Sequence, residues 1–123
     1  MKISDAVGAL AALAQETRLA AFRLLVEAGP EGVPAGRIAQ ALDVAPATLS
    51  FHLKELARAR LVHARPEGRF VIYSADFDRM AALMTFLTRN CCKGMPGECL
   101  ETMETALARC CTPTDPRPAR SRA

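Results

Sequence analysis

The sequence predicts a mostly α-helical domain with one small β-hairpin, and three observations carry that prediction. Apolar residues recur at spacings of three and four along most of residues 4–60, the period of helices packed on one face. Two of these helical segments are parted only by Asp43-Val44-Ala45, the dimension of a helix-turn-helix. After Leu61 the helical period gives way to two short apolar or β-branched runs around Pro66-Glu67-Gly68, which read as a hairpin. A helix-turn-helix followed directly by a hairpin is a winged helix-turn-helix.

In order along the chain, Val7, Leu10, Ala11 and Ala14 share one face of a first helix, with Ser4 and Asp5 able to cap its start. Leu19, Phe22 and Val26, with Leu25 beside them, form the stripe of a second helix that stops at Gly29-Pro30. Packing alone accounts for both. Pro34 to Leu42 is the first helix of the helix-turn-helix, with Ile38 and Leu42 four apart, and Pro46 to about Arg60 is the second. Pro46 suits the first helical position, where its missing N–H is not needed. Leu49, Leu53 and Leu56 then face the core, which leaves Ala47, Thr48, Ser50, Phe51 and Lys54 wholly or partly outside. Leu61 to Arg65 and Arg69 to Tyr73 are the hairpin strands. Asp76 caps a further helix carrying Phe77, Met80, Met84 and Leu87, expected to run to about Asn90. So apolar a late helix exceeds what a small core needs, and burial against a partner follows. A last helix from Glu98 carries Cys99, Met103, Leu107 and Cys110. Residues 112–123, rich in Pro and Arg, read as a disordered tail, so the domain occupies residues 1–111.

Composition agrees with one small domain: 123 residues, 50% hydrophobic and 24% charged, which is too apolar for a disordered chain. No apolar run approaches the ~20 residues of a membrane span, and the N-terminus lacks a secretory pattern. A cytoplasmic protein with no membrane partner is expected. The net charge of +3 is modest but unevenly placed. Between residues 44 and 75 stand Lys54, Arg58, Arg60, Arg65 and Arg69 against only Glu55 and Glu67. Charge alone describes an ordinary solvated surface. Joined to the helix-turn-helix spacing and the hairpin, it points to double-stranded DNA, with cations on phosphates and the first half of the second helix in the major groove. There Thr48, Ser50 and His52 can hydrogen-bond base edges, and Ala47 or Phe51 can meet a thymine methyl. Arg65 and Arg69 flank the wing turn, placed for phosphates or a narrow minor groove.

Gln15-Glu16-Thr17-Arg18-Leu19, the run from Ala47 to Leu56 with its Ser50-x-His52-Leu53-x-x-Leu56 core, and Leu61-Val62 before a Gly-containing hairpin resemble the ArsR/SmtB family of bacterial metal- and metalloid-responsive repressors. The resemblance covers roughly residues 5–92. It implies a homodimer joined through the first and late helices, an operator that is an imperfect palindrome, and release from DNA when an inducer binds. Many arsenic sensors of that family carry Cys-x-Cys on the first helix of the helix-turn-helix; Arg37 to Asp43 has none. The late helix also lacks the histidines used by zinc-sensing members.

What remains is Cys91-Cys92, Cys99 and Cys110-Cys111. Met95-Pro96-Gly97-Glu98 suits a type II turn that can bring Cys99 back toward the first pair. Arg89, Lys93 and a helix N-terminus favour thiolates. All-thiolate coordination selects soft ions, and three thiolates suit trivalent arsenic or antimony, whereas structural zinc wants a fourth ligand. Some arsenic sensors of the family carry a vicinal pair and a third cysteine at this place, so the resemblance points the same way. Cys110 lies about 16 Å along a continuous helix from Cys99, too far to share one ion. The expected function is therefore a repressor released by As(III) or Sb(III) at Cys91, Cys92 and Cys99, without an organic cofactor. The alternative is a repressor responding to thiol oxidation or to another soft metal such as cadmium, lead or zinc. An enzyme is not expected, since the chain has neither a Gly-rich oxyanion cradle nor a Cys-x-x-Cys pair.

Overall fold

The computed structural model describes residues 1–90 and 105–106. Residues 1–87 form one compact unit and residues 88–123 a second, in which residues 105–106 are helical. The predicted helix from Glu98 otherwise lies outside the described residues, as do the tail and all five cysteines.

The first unit is a winged helix-turn-helix, mostly helical with a small antiparallel sheet. Helix α1 spans Ile3–Leu13 and α2 Glu16–Ala28; strand β1 is Val33–Pro34, α3 is Ala35–Leu42 and α4 is Pro46–Arg58. Strands β2 (Val62–Glu67) and β3 (Phe70–Ala75) form the wing, and α5 spans Phe77–Thr88. The sheet order is β1-β3-β2.

α1 turns a different face to the core from the one predicted. Ala6 and Ala9 are buried, whereas Val7 (58%) and Leu10 (43%) are exposed and Ala14 lies just past the helix end. Small side chains let α1 lie close against its neighbours, and the larger residues of the expected stripe are left pointing outward. Asp5, rather than Ser4, ties down the start by accepting the Lys2 backbone N–H at 3.0 Å. That bond, helped by the charges of Arg79 and Lys2, holds the Asp5 carboxyl below its ordinary value against a partial desolvation that raises it. In α2 the buried face is Ala21, Phe22 and Leu25, while Leu19 is exposed. Gly29 ends the helix at φ +84°, its N–H donating to the Leu25 carbonyl.

The α3–α4 turn falls at Asp43-Val44-Ala45, with Asp43 in the left-handed region. The Val44 N–H closes back on the Ala39 carbonyl at 3.0 Å. Leu49, Leu53 and Leu56 are fully buried with Ile38, Leu25 and Leu61, so α4 is held by its apolar stripe at the centre of the core.

Two details of the sheet differ from the sequence reading. β2 continues through Pro66 to Glu67, and Glu67 pairs with Phe70, so the turn is Gly68-Arg69 and not Pro66-Glu67-Gly68. Gly68 takes φ +64° there, a conformation open to a residue without Cβ. β1 was not expected. It pairs Val33 with Tyr73 and Pro34 with Ile72, and Gly32 at φ +81° permits it, since a Cβ there would run into the Tyr73 carbonyl and Ile72 Cγ2.

Asp76 caps α5 as expected, its Oδ1 accepting the Arg79 N–H at 2.9 Å. Its Oδ2 lies 3.2 Å from His63 Nε2, which gives that strand histidine a structural partner. Leu83 is buried and Phe77 and Met80 pack on the core, while Met84 and Leu87 are exposed. No described helix is long and apolar enough to cross a membrane.

Candidate nucleic-acid interface

Because its leucine stripe is fixed inward, α4 presents Ala47, Thr48, Ser50, Phe51 and Lys54 to solvent. Phe51 is 58% exposed on a helix whose neighbouring Leu53 is 0% exposed. A large aromatic ring left in water in the first half of a well-packed helix serves no folding purpose. His52 is half-buried beside it, the two rings 5.5 Å apart edge to face.

The wing approaches the same helix. Ser50 and Pro46 of α4, Ala35 and Gly36 of α3, and Val71 and Tyr73 of β3 line one shallow cleft of about 150 Å³. Helix and strand therefore form one continuous face. Arg65 and Arg69 belong to the hairpin, but they are held differently. The Arg65 guanidinium donates to the Glu31 carbonyl at 3.3 Å and lies 3.4 Å from Glu67 Oε2, which folds it back along the sheet. Arg69, at the turn, has no hydrogen-bond or ionic partner among the described residues, and neither has Lys54. Arg58 is paired with Glu55 at 3.3 Å.

A helix-turn-helix domain model matches residues 13–65, from the end of α1 into the wing. The homodimeric winged helix-turn-helix DNA-binding domain Mb0332 of Mycobacterium bovis, a possible ArsR-family transcriptional regulator, is similar in structure at 26% identity. It covers 78% of this chain and 89% of its own, with a TM-score of 0.55. The AntR antimony-specific transcriptional repressor shares the fold at 24% identity, over 84% of this chain and 83% of its own, with a TM-score of 0.57. The HTH-type transcriptional regulator Rv2034 of Mycobacterium tuberculosis (strain ATCC 25618 / H37Rv) is 41% identical over 86 residues, 70% of this chain and 78% of the relative. The chain belongs to the ArsR family of helix-turn-helix transcriptional regulators.

The exposed face of α4 is the candidate DNA-facing surface, and two further basic residues escaped the sequence reading. Arg37 lies exposed on α3 with no partner among the described residues. The first helix of a helix-turn-helix generally crosses the sugar-phosphate backbone, where an unpaired cation can neutralise phosphate. Its signal was present, the lone charged residue of α3, but it lay outside the basic cluster at residues 44–75. The other is Arg18, on the first turn of α2. It donates from Nε to the Ala12 carbonyl at 2.6 Å and from Nη1 to His52 Nδ1 at 3.3 Å. The contact spans 34 positions, and no local pattern announces it.

Among the described residues no group of three or more His, Cys, Asp or Glu could hold a metal ion. Cys91, Cys92 and Cys99, the expected ligands, lie outside the described residues together with Cys110 and Cys111.

Proposed function

We propose that the chain is a homodimeric repressor that binds an imperfectly palindromic DNA operator and leaves it when trivalent arsenic or antimony binds Cys91, Cys92 and Cys99. The observation that carries the DNA half is the solvent-facing side of α4, with Thr48, Ser50 and Phe51 exposed, Lys54 unpaired, and the wing beside it carrying Arg69. Thr48, Ser50 and His52 address base edges, Ala47 and Phe51 address thymine methyls, and Lys54, Arg69 and Arg65 address phosphate.

The dimer is supported by the apolar residues that the protomer leaves outside. Ile3, Val7 and Leu10 repeat at helical spacing on α1, and Met84 and Leu87 do so on α5. Arg79 Nη2 lies 3.9 Å from Asp5 Oδ1, which sets the start of α5 beside the start of α1. Mb0332, with the same fold, is homodimeric. Pairing these faces between two copies removes the apolar surface from water and supplies two reading helices, one per half-site.

The inducer is supported by donor chemistry. Three thiolates match a soft trivalent ion that takes three sulfurs and keeps a lone pair in the fourth direction. The fold is shared with AntR, which is antimony-specific. In the sequence Cys91 and Cys92 come three and four positions after Thr88, the last residue of α5, and the proposed coupling runs through that helix to the dimer contact. Coupling of the usual size, about 5- to 150-fold in affinity, suffices to empty an operator.

The test is release from DNA. Wild type bound to a duplex recovered by selection from random DNA is titrated with arsenite, antimonite, zinc, cadmium and an oxidant. Arsenite or antimonite should release it at about one ion per protomer. Cys91→Ser, Cys92→Ser and Cys99→Ser should each bind DNA normally and fail to release. Normal release in all three variants overturns the cysteine site, and release by oxidant alone, reversed by a reductant, replaces it with a thiol switch.

A further inference from the structure

The contact between Arg18 and His52 fixes which atom of the histidine is offered to DNA. A guanidinium has only donors and stays protonated, so at 3.3 Å from Arg18 Nη1 the His52 Nδ1 must be the acceptor. The proton of the neutral imidazole is therefore on Nε2. That atom has no hydrogen-bond partner among the described residues and is not buried. Arg18 itself is anchored twice more: its Nε donates to the Ala12 carbonyl at 2.6 Å, and its backbone N–H donates to Gln15 Oε1 at 2.9 Å. The short bond to Ala12 uses a carbonyl in the last turn of α1, where intrahelical partners run out. The Phe51 ring meets the imidazole edge to face, with the centroids 5.5 Å apart.

We propose that Arg18 is a positioning residue for base recognition: it locks His52 as a hydrogen-bond donor through Nε2–H and thereby sets a guanine preference in each half-site. The inference rests on the reading of α4 as the DNA-facing helix. A single donor entering the major groove from α4 finds acceptors at purine N7, guanine O6 and thymine O4. Guanine places two of these side by side with no competing donor between them, whereas adenine sets its N6 amino group next to N7. A ring free to present either nitrogen as acceptor would also tolerate cytosine or the adenine amino group. The arginine removes that freedom.

Selection from random DNA is carried out with wild type, His52→Ala and Arg18→Met, followed by affinities for duplexes changed one base pair at a time. Wild type should require guanine at one position per half-site, with about two- to tenfold loss for any other base, the range of one net hydrogen bond. His52→Ala and Arg18→Met should both relax that one position and leave the others selective, and the double variant should match His52→Ala. An Arg18→Met loss spread evenly over all positions, or adding fully to that of His52→Ala, overturns the proposal in favour of a plain packing role. Failure of wild type to enrich any duplex overturns the DNA-facing reading itself and the inference with it. Should Arg18→Met not fold, ¹⁵N spectra of the wild-type imidazole decide: Nε2 protonated and Nδ1 bare supports the lock, and a protonated Nδ1 at neutral pH overturns it.

Discussion

The cations of α3, α4 and the wing differ in what already holds them. Arg58 and Arg65 are drawn onto Glu55 and Glu67, whereas Lys54, Arg69 and Arg37 have no ionic partner among the described residues. A cation paired with a carboxylate must release that partner before it can neutralise a phosphate, so its net gain on DNA is smaller. An unpaired one displaces only water and counterions. Replacing Lys54 or Arg69 by Ala should therefore weaken DNA binding for all sequences alike and reduce the salt dependence by about one unit of slope per cation removed. Arg58→Ala should change both less, because it also frees Glu55. Affinities measured over a series of salt concentrations check the difference, and equal slopes for Lys54→Ala and Arg58→Ala would contradict it.

At the scale of the element, α4 separates folding from function by angle around one helix axis. Leu53 is wholly buried and Phe51, two residues earlier, is largely exposed. Leu53→Ala should cost about 2–5 kcal/mol of stability by opening a cavity in a packed core. Phe51→Ala should change stability by no more than about 0.5 kcal/mol while lowering DNA affinity. Denaturant melts of both variants with parallel binding curves test the pair. This division was legible in the sequence because α4 is strongly patterned: Leu49, Leu53 and Leu56 leave one solution for its orientation, and Asp43-Val44-Ala45 fixes where it starts. α1 was not legible in the same way. Its alanines can pack as closely as its larger residues, so Val7 and Leu10 looked like core until the fold turned Ala6 and Ala9 inward. A stripe of large apolar residues identifies a face that must leave water, but not whether the same chain or another covers it. β1 escaped because two residues carry no periodicity; its signal is tertiary, the fit of Gly32 against Tyr73. The Arg18–His52 pair escaped for the same reason. The solvent-facing residues of α4 were readable, while the hydrogen bond to His52 joins segments far apart in the chain.

For the whole molecule, the exposed residues of α1 and α5 decide what two copies can do. Val7 and Leu10 are more than two-fifths exposed in the protomer and Leu87 is 57% exposed, so a charge at Leu10 or Leu87 meets water and not the core. Leu10→Glu and Leu87→Glu should accordingly keep the protomer's fold and thermal transition while breaking the proposed dimer. In sedimentation, wild type should run at twice the 13.2 kDa of the chain and both variants at the single mass. DNA binding should fall steeply with the loss of the dimer. Two linked reading helices bind their second half-site at high effective concentration, and losing that link typically costs about 10²–10⁴ in avidity. The loss should concern duplexes carrying two half-sites, with a single half-site bound equally by wild type and variant. Should either variant instead unfold, its face is held by this chain's own core. Should both remain dimeric, the contact lies elsewhere, and with it the route by which an ion at the cysteines following α5 could reach the spacing of the two reading helices.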